Sequence, residues 1–268
     1  MLKKFVQRFI DVFTPNKDVS KRDVRIAAGV LGLLILLTWQ FSTMKFLPKP
    51  LETIHALIRL WTEENLAGHM WVSFKLNLHA LAITTVISLG LSYLSVVPAV
   101  RPLVGVIGTM RFFSLNGYIF FLMQAIGGGY GLKLWLLVIS MGVYFVTHMS
   151  HEIASIPQTE YDHARTLGMS EWEVILEVVV IGKLDKAIEC MGQNAAMGWA
   201  VITIAEGLSR SEGGIGALFL NEDKHFNIDA VAAIYLFQFL VSLVQDKFIR
   251  VFLKNKICPY IKLMMERR

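Results

Sequence analysis

Six long runs without a charged residue are the feature that most constrains what this chain can fold into. Each run holds no Asp, Glu, Lys or Arg over 16 to 25 consecutive residues. A membrane-spanning helix needs about 17–25 largely apolar residues, because it crosses roughly 30 Å of hydrocarbon. Several such runs are hard to bury together in one soluble core. The runs are Ile26–Met44, Leu76–Val100, Phe112–Leu132, Leu134–His151, Cys190–Ala205 and Ala230–Gln245.

The composition agrees with a membrane protein and fits poorly with the alternative, a soluble all-α protein with buried helices. The 268 residues are 54% hydrophobic and 18% charged, whereas soluble domains carry about 25% charged residues. The two shortest runs can reach span length if flanking charged side chains extend toward the headgroups. We therefore predict an all-α integral membrane protein with six crossings. They lie at about 26–44, 71–98, 112–126, 132–150, 187–206 and 229–247.

The orientation follows from the distribution of Lys and Arg. The two tails carry seven basic residues each: Lys3, Lys4, Arg8, Lys17, Lys21, Arg22 and Arg25, then Lys247, Arg250, Lys254, Lys256, Lys262, Arg267 and Arg268. The positive-inside rule places both termini in the cytoplasm, which requires an even number of crossings. Basic segments 1–25 and 248–268 thus flank one transmembrane domain, 26–247. No nucleic-acid motif accompanies the net charge of +5, so we expect membrane lipid and no nucleic acid as its partner.

Three connecting segments carry turn or interface signals. In the outer segment 45–70, Pro48 and Pro50 interrupt helix, and an amphipathic helix follows with one apolar face, formed by Ile54, Leu57, Ile58 and Trp61. The stretch Arg101–Arg111 is too short to span. It is either a helix at the inner interface or an extension of the third crossing. The sequence GGGYG at 127–131 predicts a turn.

The polar segment between the fourth and fifth crossings, about 152–186, faces the cytoplasm in this topology. Pro157 suits the first turn of a helix, and Gly168 can adopt the left-handed conformation that ends one. Ser170 and Glu173 form a Ser-x-x-Glu capping box, which begins a second helix. The segment is therefore predicted to be a helix, a sharp glycine turn and a second helix. An ordinary interhelical loop is the plain alternative.

The segment that begins EYDHARTLGMSEWEV at Glu160 resembles the EAA loop of permease subunits in binding-protein-dependent ABC importers. Asp162, His163 and Ala164 stand at the Glu-Ala-Ala positions, and Gly168 stands at the family's glycine. FLPKPLETIHAL at 46–57 and AEGLSRSEGGIGALF at 205–219 are similar to outer loops of the nitrate, sulfonate and taurine branch. The text departs from the family at Glu-Ala-Ala itself, at Gly182 in place of a proline, and at RFFSLNGY (111–118) in place of a proline-rich start of the third crossing.

The resemblance implies a type I importer permease in a bacterial inner membrane, which carries a small solute such as an oxyanion or a sulfonate-like compound. The chain has no Gly-x-x-x-x-Gly-Lys-Ser/Thr phosphate loop, so ATP and Mg would be bound by a separate cytoplasmic ATPase dimer. A second copy of the permease, as a homodimer, and an extracytoplasmic solute-binding protein are the other implied partners. We expect no cofactor, metal site or catalytic residue in this chain.

The loop at 159–180 is then a coupling helix that docks in a groove of the ATPase. Ala164 would allow close approach of the backbone, Gly168 would set the angle between the helices, and Arg165 with Asp162 would make polar contacts at the rim. The predicted coupling residues are Asp162, His163, Ala164, Arg165, Thr166, Leu167, Gly168, Met169, Ser170 and Glu173.

Polar residues within the predicted crossings are candidates for the translocation path. They are Lys75, Asn116, Gln193 and Asn194, and helix–helix hydrogen bonding or an extension of the side chain toward the headgroups is the alternative role for each. Two other functions stay open. One is an ATP-independent secondary transporter or channel subunit, which would need an ionisable site at mid-membrane. The other is a permease-like assembly protein without transport activity.

Overall fold

The computed structural model of the chain describes residue 14, residues 19–41 and 48–253, and residues 255 and 259. Every regular element in these residues is helical, which confirms the predicted all-α class for this part of the chain. The predictions for most of segment 1–25 and of the C-terminal tail lie outside the described residues. The helices are α1 (Lys21–Gln40), α2 (Pro50–Thr62), α3 (Leu66–Leu94), α4 (Arg101–Thr109), α5 (Leu115–Ile126), α6 (Gly129–Ala154), α7 (Gln158–Thr166), α8 (Glu171–Val174), α9 (Leu184–Leu208), α10 (Ile215–Lys224) and α11 (Ile228–Phe248).

Four helices in the described residues are long and apolar enough to cross a membrane. They are α1, α3, α6 and α11, the last continued by a π-helical turn at Ile249–Leu253. A fifth candidate is the pair formed by α4, with the 3₁₀ turn Met110–Phe112, and α5, which meet at an angle of 110°. These helices are compatible with insertion into a membrane.

The third predicted crossing, 112–126, corresponds to α5, which does not qualify as a span by itself. α5 has 12 residues and is about 18 Å long at 1.5 Å per residue, too short to cross the hydrocarbon alone. The chain turns because Phe113 is extended and Ser114 caps α5, accepting a hydrogen bond from the Gly117 amide at 3.3 Å. Arg101–Arg111 accordingly forms a separate helix and the start of a 3₁₀ turn. This agrees with a separate helix rather than with a straight extension of the third crossing.

The fifth predicted crossing corresponds to α9, which is central but not among the apolar candidates. Its 25 residues extend about 37 Å, which is long enough to span. Gln193, Asn194 and Glu206 lower its hydropathy, and Trp199 and Ile202 are among its many buried residues. Because neighbouring helices cover it, α9 needs less apolar surface than a lipid-exposed span. The count of six crossings stays a prediction.

The packed core has two parts. The larger one is formed by α3, α6 and α9, with α2, α10 and α11 packed around them, and includes Leu81, Leu137 and Ile202. The smaller one gathers the last turns of α6 and the first turns of α9 around Phe145, Met149 and the π-helical Val179. The second part matters for function, since it lies directly beneath the segment that carries the predicted coupling residues.

Helix α1 is the clearest indication of a lipid environment. Leu33, Leu34, Ile35, Leu36 and Leu37 are consecutive, so they point to all sides of the helix, and each is at least 43% exposed. A helix that is apolar all round needs an apolar surrounding. The described residues cover so little of α1 that lipid, a further protein or the remaining residues of the chain must supply it.

Helix α2 confirms the predicted outer-segment helix and begins at Pro50, where proline is favoured because the first turn has unpaired amides. Of the predicted face, Ile54, Ile58 and Trp61 are more than half exposed, whereas Leu57 is partly buried and packs on the core near the buried Leu60. Three of the four residues of the predicted apolar face are thus exposed in the part of the chain that the structure describes.

Candidate functional site

The polar segment after α6 folds as two helices joined by a glycine turn, as the sequence predicts. α7 ends at Thr166, and Gly168 has a φ of +80°, the left-handed conformation. Ser170 begins α8, and its amide and hydroxyl both donate to Glu173 Oε2 at 2.8 Å. Pro157 is the N-cap of α7, one position before the first turn. We call the stretch 157–181 the knob.

Arg165 holds the two helices of the knob together. Its Nε and one terminal nitrogen donate to the two carboxylate oxygens of Glu171 at 2.9 and 3.0 Å, and the other terminal nitrogen lies 3.0 Å from Asp162 Oδ1. The bidentate contact with Glu171 raises the pKa of Arg165 and lowers that of Glu171. Hydrogen bonds from Ser170 likewise lower the pKa of Glu173. The bidentate geometry between Arg165 and Glu171 is specific to the planar guanidinium.

The knob is rooted in the smaller part of the core. Tyr161, Ile175 and Val178 pack on the cluster formed by the end of α6 and the start of α9, and Val96 from the end of α3 joins them. Val179 is fully buried. The base of the knob is therefore in packed contact with the ends of three long helices.

The predicted coupling residues are mostly on the exposed side of the knob. Asp162, His163, Arg165, Thr166, Leu167, Gly168, Ser170 and Glu173 are exposed, and Met169 is half-buried. Leu167 and Trp172, at 64% and 66% exposed, give the tip an apolar character that is unusual for a turn. Ala164 is different, because it is 5% exposed and packed within this chain. The expectation that Ala164 would present its backbone to a partner is not supported by this arrangement.

Gly182, the position where the resembled family carries proline, has a local physical role. Its amide donates to the Glu177 carbonyl at 3.0 Å and closes the π-helical turn Ile175–Ile181. Proline has no amide hydrogen and could not make this bond. The π-helical turn therefore requires a residue other than proline at position 182.

The four candidate path residues do not form one group. Lys75, Asn116 and Gln193 are exposed, and Asn194 is buried at 4%. Lys75 lies 5.7 Å above the Trp71 ring, and Asn194 donates to the Cys190 carbonyl at 2.9 Å. No hydrogen bond or ion pair joins any two of the four within the part of the chain that the structure describes. Their role in a path stays a prediction.

A buried polar cluster at the start of α10 was not predicted as a site. Glu206 is fully buried and accepts hydrogen bonds from Ser73 Oγ at 2.7 and 2.8 Å and from the Gly216 amide at 2.9 Å. The Ile215 amide donates to Ser73 Oγ at 2.8 Å. Glu206 and Ser73 thus satisfy the free amides at the N-terminus of α10. The sequence carries one signal for this cluster, Glu206 followed by GGIG. Its partner Ser73 lies 133 positions away, so the pairing is not visible in the sequence.

Two further contacts fix the loop that precedes α10. His69 Nδ1 lies 3.1 Å from both the amide nitrogen and the carbonyl oxygen of Gly214. Lys133, near the start of α6 and 1% exposed, pairs with Glu212 at 2.5 Å. The loop therefore connects α3, α6 and α9 at the end of the bundle opposite the knob.

The glycine at 216 allows α9 and α10 to meet, which leads to a stability prediction. A Cβ at this position would lie 2.3 Å from the Thr203 carbonyl oxygen and 2.8 Å from its Cα, both backbone atoms that cannot rotate away. We expect Gly216→Ala to lower the free energy of unfolding by about 1–3 kcal/mol. Thermal unfolding in detergent micelles measures this. Gly90→Ala in α3 is the matched control, since its Cβ would meet nothing within 4 Å, and an equal loss there would contradict the packing argument.

The Lys133–Glu212 pair predicts a pH dependence. The hydrogen bond from Lys133 lowers the pKa of Glu212 below its usual 4.5. A carboxyl whose pKa is lower when folded stabilises the fold above its unfolded pKa, and this stabilisation is lost as the pH falls through the folded value. We expect the melting temperature to fall between about pH 5 and 3, and to fall less in Glu212→Gln. Parallel curves for the two proteins would contradict the assignment to Glu212.

In the residues that the structure describes, these features define an all-α protein with four to five helices able to cross a membrane and a knob on one connection. Neither a scan against protein-family models nor a search of curated proteins finds a match to this chain.

Proposed function

We propose that this protein is the permease subunit of an ATP-driven importer, in which the knob couples the transmembrane helices to a separate ATPase. The observation that carries the proposal is the knob itself. Its two helices are locked by Arg165 and Glu171, its tip exposes Leu167 and Trp172, and its base is packed into the long helices.

The exposed apolar tip supports docking to a protein. Leu167 and Trp172 lie on a connection rich in charge, where solvent exposure of both side chains leaves apolar area uncovered. Aromatic and large aliphatic anchors of this kind dominate the energetics of protein interfaces. A groove that receives the tip would bury both residues and leave Asp162 and Arg165 at the rim.

The rest of the assembly is proposed with the same function. The bent α4–α5 pair and α9 would complete six crossings, with both termini cytoplasmic in a bacterial inner membrane of type I topology. ATP and Mg would be bound by the ATPase dimer, a second copy of this chain would complete the path, and a binding protein would deliver a small oxyanion or sulfonate-like solute. Lys75, Asn116, Gln193 and Asn194 are the proposed path residues.

Site-directed photo-crosslinking tests the proposed coupling. A photo-crosslinking amino acid replaces Leu167 or Trp172 in the full chain in its own cell, and crosslinked partners are identified by mass spectrometry. We expect both positions to capture a protein that carries a Gly-x-x-x-x-Gly-Lys-Ser/Thr phosphate loop. The control position is Phe226, which is 85% exposed between α10 and α11, far along the bundle from the knob.

The outcomes separate the proposal from its alternatives. Capture of the ATPase from the knob but not from Phe226 supports an ATP-driven importer. Efficient labelling of the knob by a membrane-impermeant reagent added outside the cell would place it on the wrong side and reject the proposal. Solute uptake that continues in cells depleted of the captured ATPase would favour an ATP-independent transporter.

A further inference from the structure

A basic, partly open cavity of about 740 Å³ lies beside the last turns of α6, at the end of the bundle opposite the Glu206 cluster. It is bordered by α4, the end of α6, the connection between α3 and α4, and the start of the knob. Arg101, Arg111 and His151 line it together with Thr147 and Ser150. None of the described residues that line it is Asp or Glu. The cavity therefore favours an anion.

Two of the cations in this cavity have no carboxylate partner among the described residues. Arg165 also reaches the cavity, but its charge is offset by Asp162 and Glu171. Arg101 has no ion pair with any residue that the structure describes, and Arg111 lies 4.9 Å from the centre of the Phe112 ring. A guanidinium group presents several donors that match the oxygens of a phosphate.

The position of the cavity identifies the source of the phosphate. Thr147, Ser150 and His151 lie in the last two turns of a helix long enough to cross the membrane, so the cavity is at headgroup depth.

We infer that this cavity binds the phosphate headgroup of an anionic phospholipid. Basic pockets between helices at a membrane surface are suited to such headgroups. The volume of about 740 Å³ exceeds what one phosphate fills and is in the range of pockets for larger ligands. The inference requires only that the helices span a membrane and is independent of the proposed transport function.

Native mass spectrometry of the full chain released from mixed nanodiscs tests the inference. The nanodiscs contain equal amounts of phosphatidylglycerol and phosphatidylcholine, and retained lipids are counted. We expect wild-type protein to retain phosphatidylglycerol preferentially. Since each arginine near the surface contributes about 1 kcal/mol, Arg101→Gln/Arg111→Gln should weaken retention on the order of 25-fold. Arg210→Gln, an exposed arginine in the loop before α10, should leave retention unchanged.

Several other results of this experiment would reject the lipid site. Equal retention by wild type and the double variant would exclude these two arginines as ligands. Equal loss in Arg210→Gln would indicate a general effect of net charge. In a second arm, inorganic phosphate at millimolar concentration is added to wild-type protein. Complete displacement of phosphatidylglycerol would identify a site for free phosphate, and no preference over phosphatidylcholine would reject a site for anionic lipid. Retention of phosphatidylglycerol supports the inference. Unchanged melting temperatures of the variants show that the fold is intact.

Discussion

Glu206→Ala is expected to lower the free energy of unfolding by about 3–5 kcal/mol, the largest effect on stability that this structure predicts. The carboxylate is fully buried and accepts hydrogen bonds from Ser73 and from the Gly216 amide. Its removal leaves both donors buried without that acceptor, and each unsatisfied buried donor costs about 1–3 kcal/mol. The Lys133 ammonium nearby also loses a neighbouring carboxyl group. The melting temperature in detergent micelles should fall by roughly 10 °C.

Two variants make the Glu206 experiment specific. Glu206→Gln keeps one acceptor oxygen and nearly the same shape, so about half of the loss should be recovered. Glu63→Ala removes an exposed carboxylate beyond the end of α2, and substitutions of that kind change stability by less than about 0.5 kcal/mol. A melting temperature for Glu206→Ala within 2 °C of the wild-type value would show that water or a rearranged loop replaces the carboxylate.

The knob could be predicted from sequence because its signals are local. The glycine turn needs only Gly168, and the capping box needs only Ser170 and Glu173, three positions apart. Each signal lies within one helical turn of the helix end that it determines, so these helix ends can be predicted without knowledge of the tertiary packing. The resemblance to a permease loop added a function to that local prediction, which remains to be tested.

The bend before α5 and the buried cluster around Glu206 depend on information that periodicity does not contain. Phe112 to Leu132 is one uncharged run, and an uncharged run gives no sign of a 110° turn. Ser114 before α5 is the available cue, as a residue that favours N-caps. The burial of Glu206 could not be predicted, because it depends on Ser73 in a distant helix. Similarly, α9 has too many polar residues for a lipid-exposed span, and its neighbours supply the covering.

The largest functional effect is expected for Gly168→Pro, which should reduce ATP-driven uptake at least tenfold if the knob is the coupling element. Proline fixes φ near −65°, whereas Gly168 needs +80°. Proline also removes the amide that donates to the Arg165 carbonyl at 2.9 Å, and it disfavours the helical backbone of Leu167 before it. The angle between α7 and α8 would change, while the transmembrane helices stay packed.

Gly168→Asn is the matched control for this experiment, because asparagine tolerates positive φ better than other residues and a Cβ at position 168 meets nothing within 4 Å of this chain. We expect it to retain most uptake. Uptake and ATP hydrolysis are measured with equal amounts of each variant in proteoliposomes that contain the ATPase captured from the knob. Because no atom of the described residues crowds position 168, a loss in the proline variant alone reports on the backbone conformation of the turn. Normal uptake by Gly168→Pro would contradict coupling through this turn. Coupling requires the angle between α7 and α8 that the positive φ of Gly168 sets, and the proline variant cannot keep that angle.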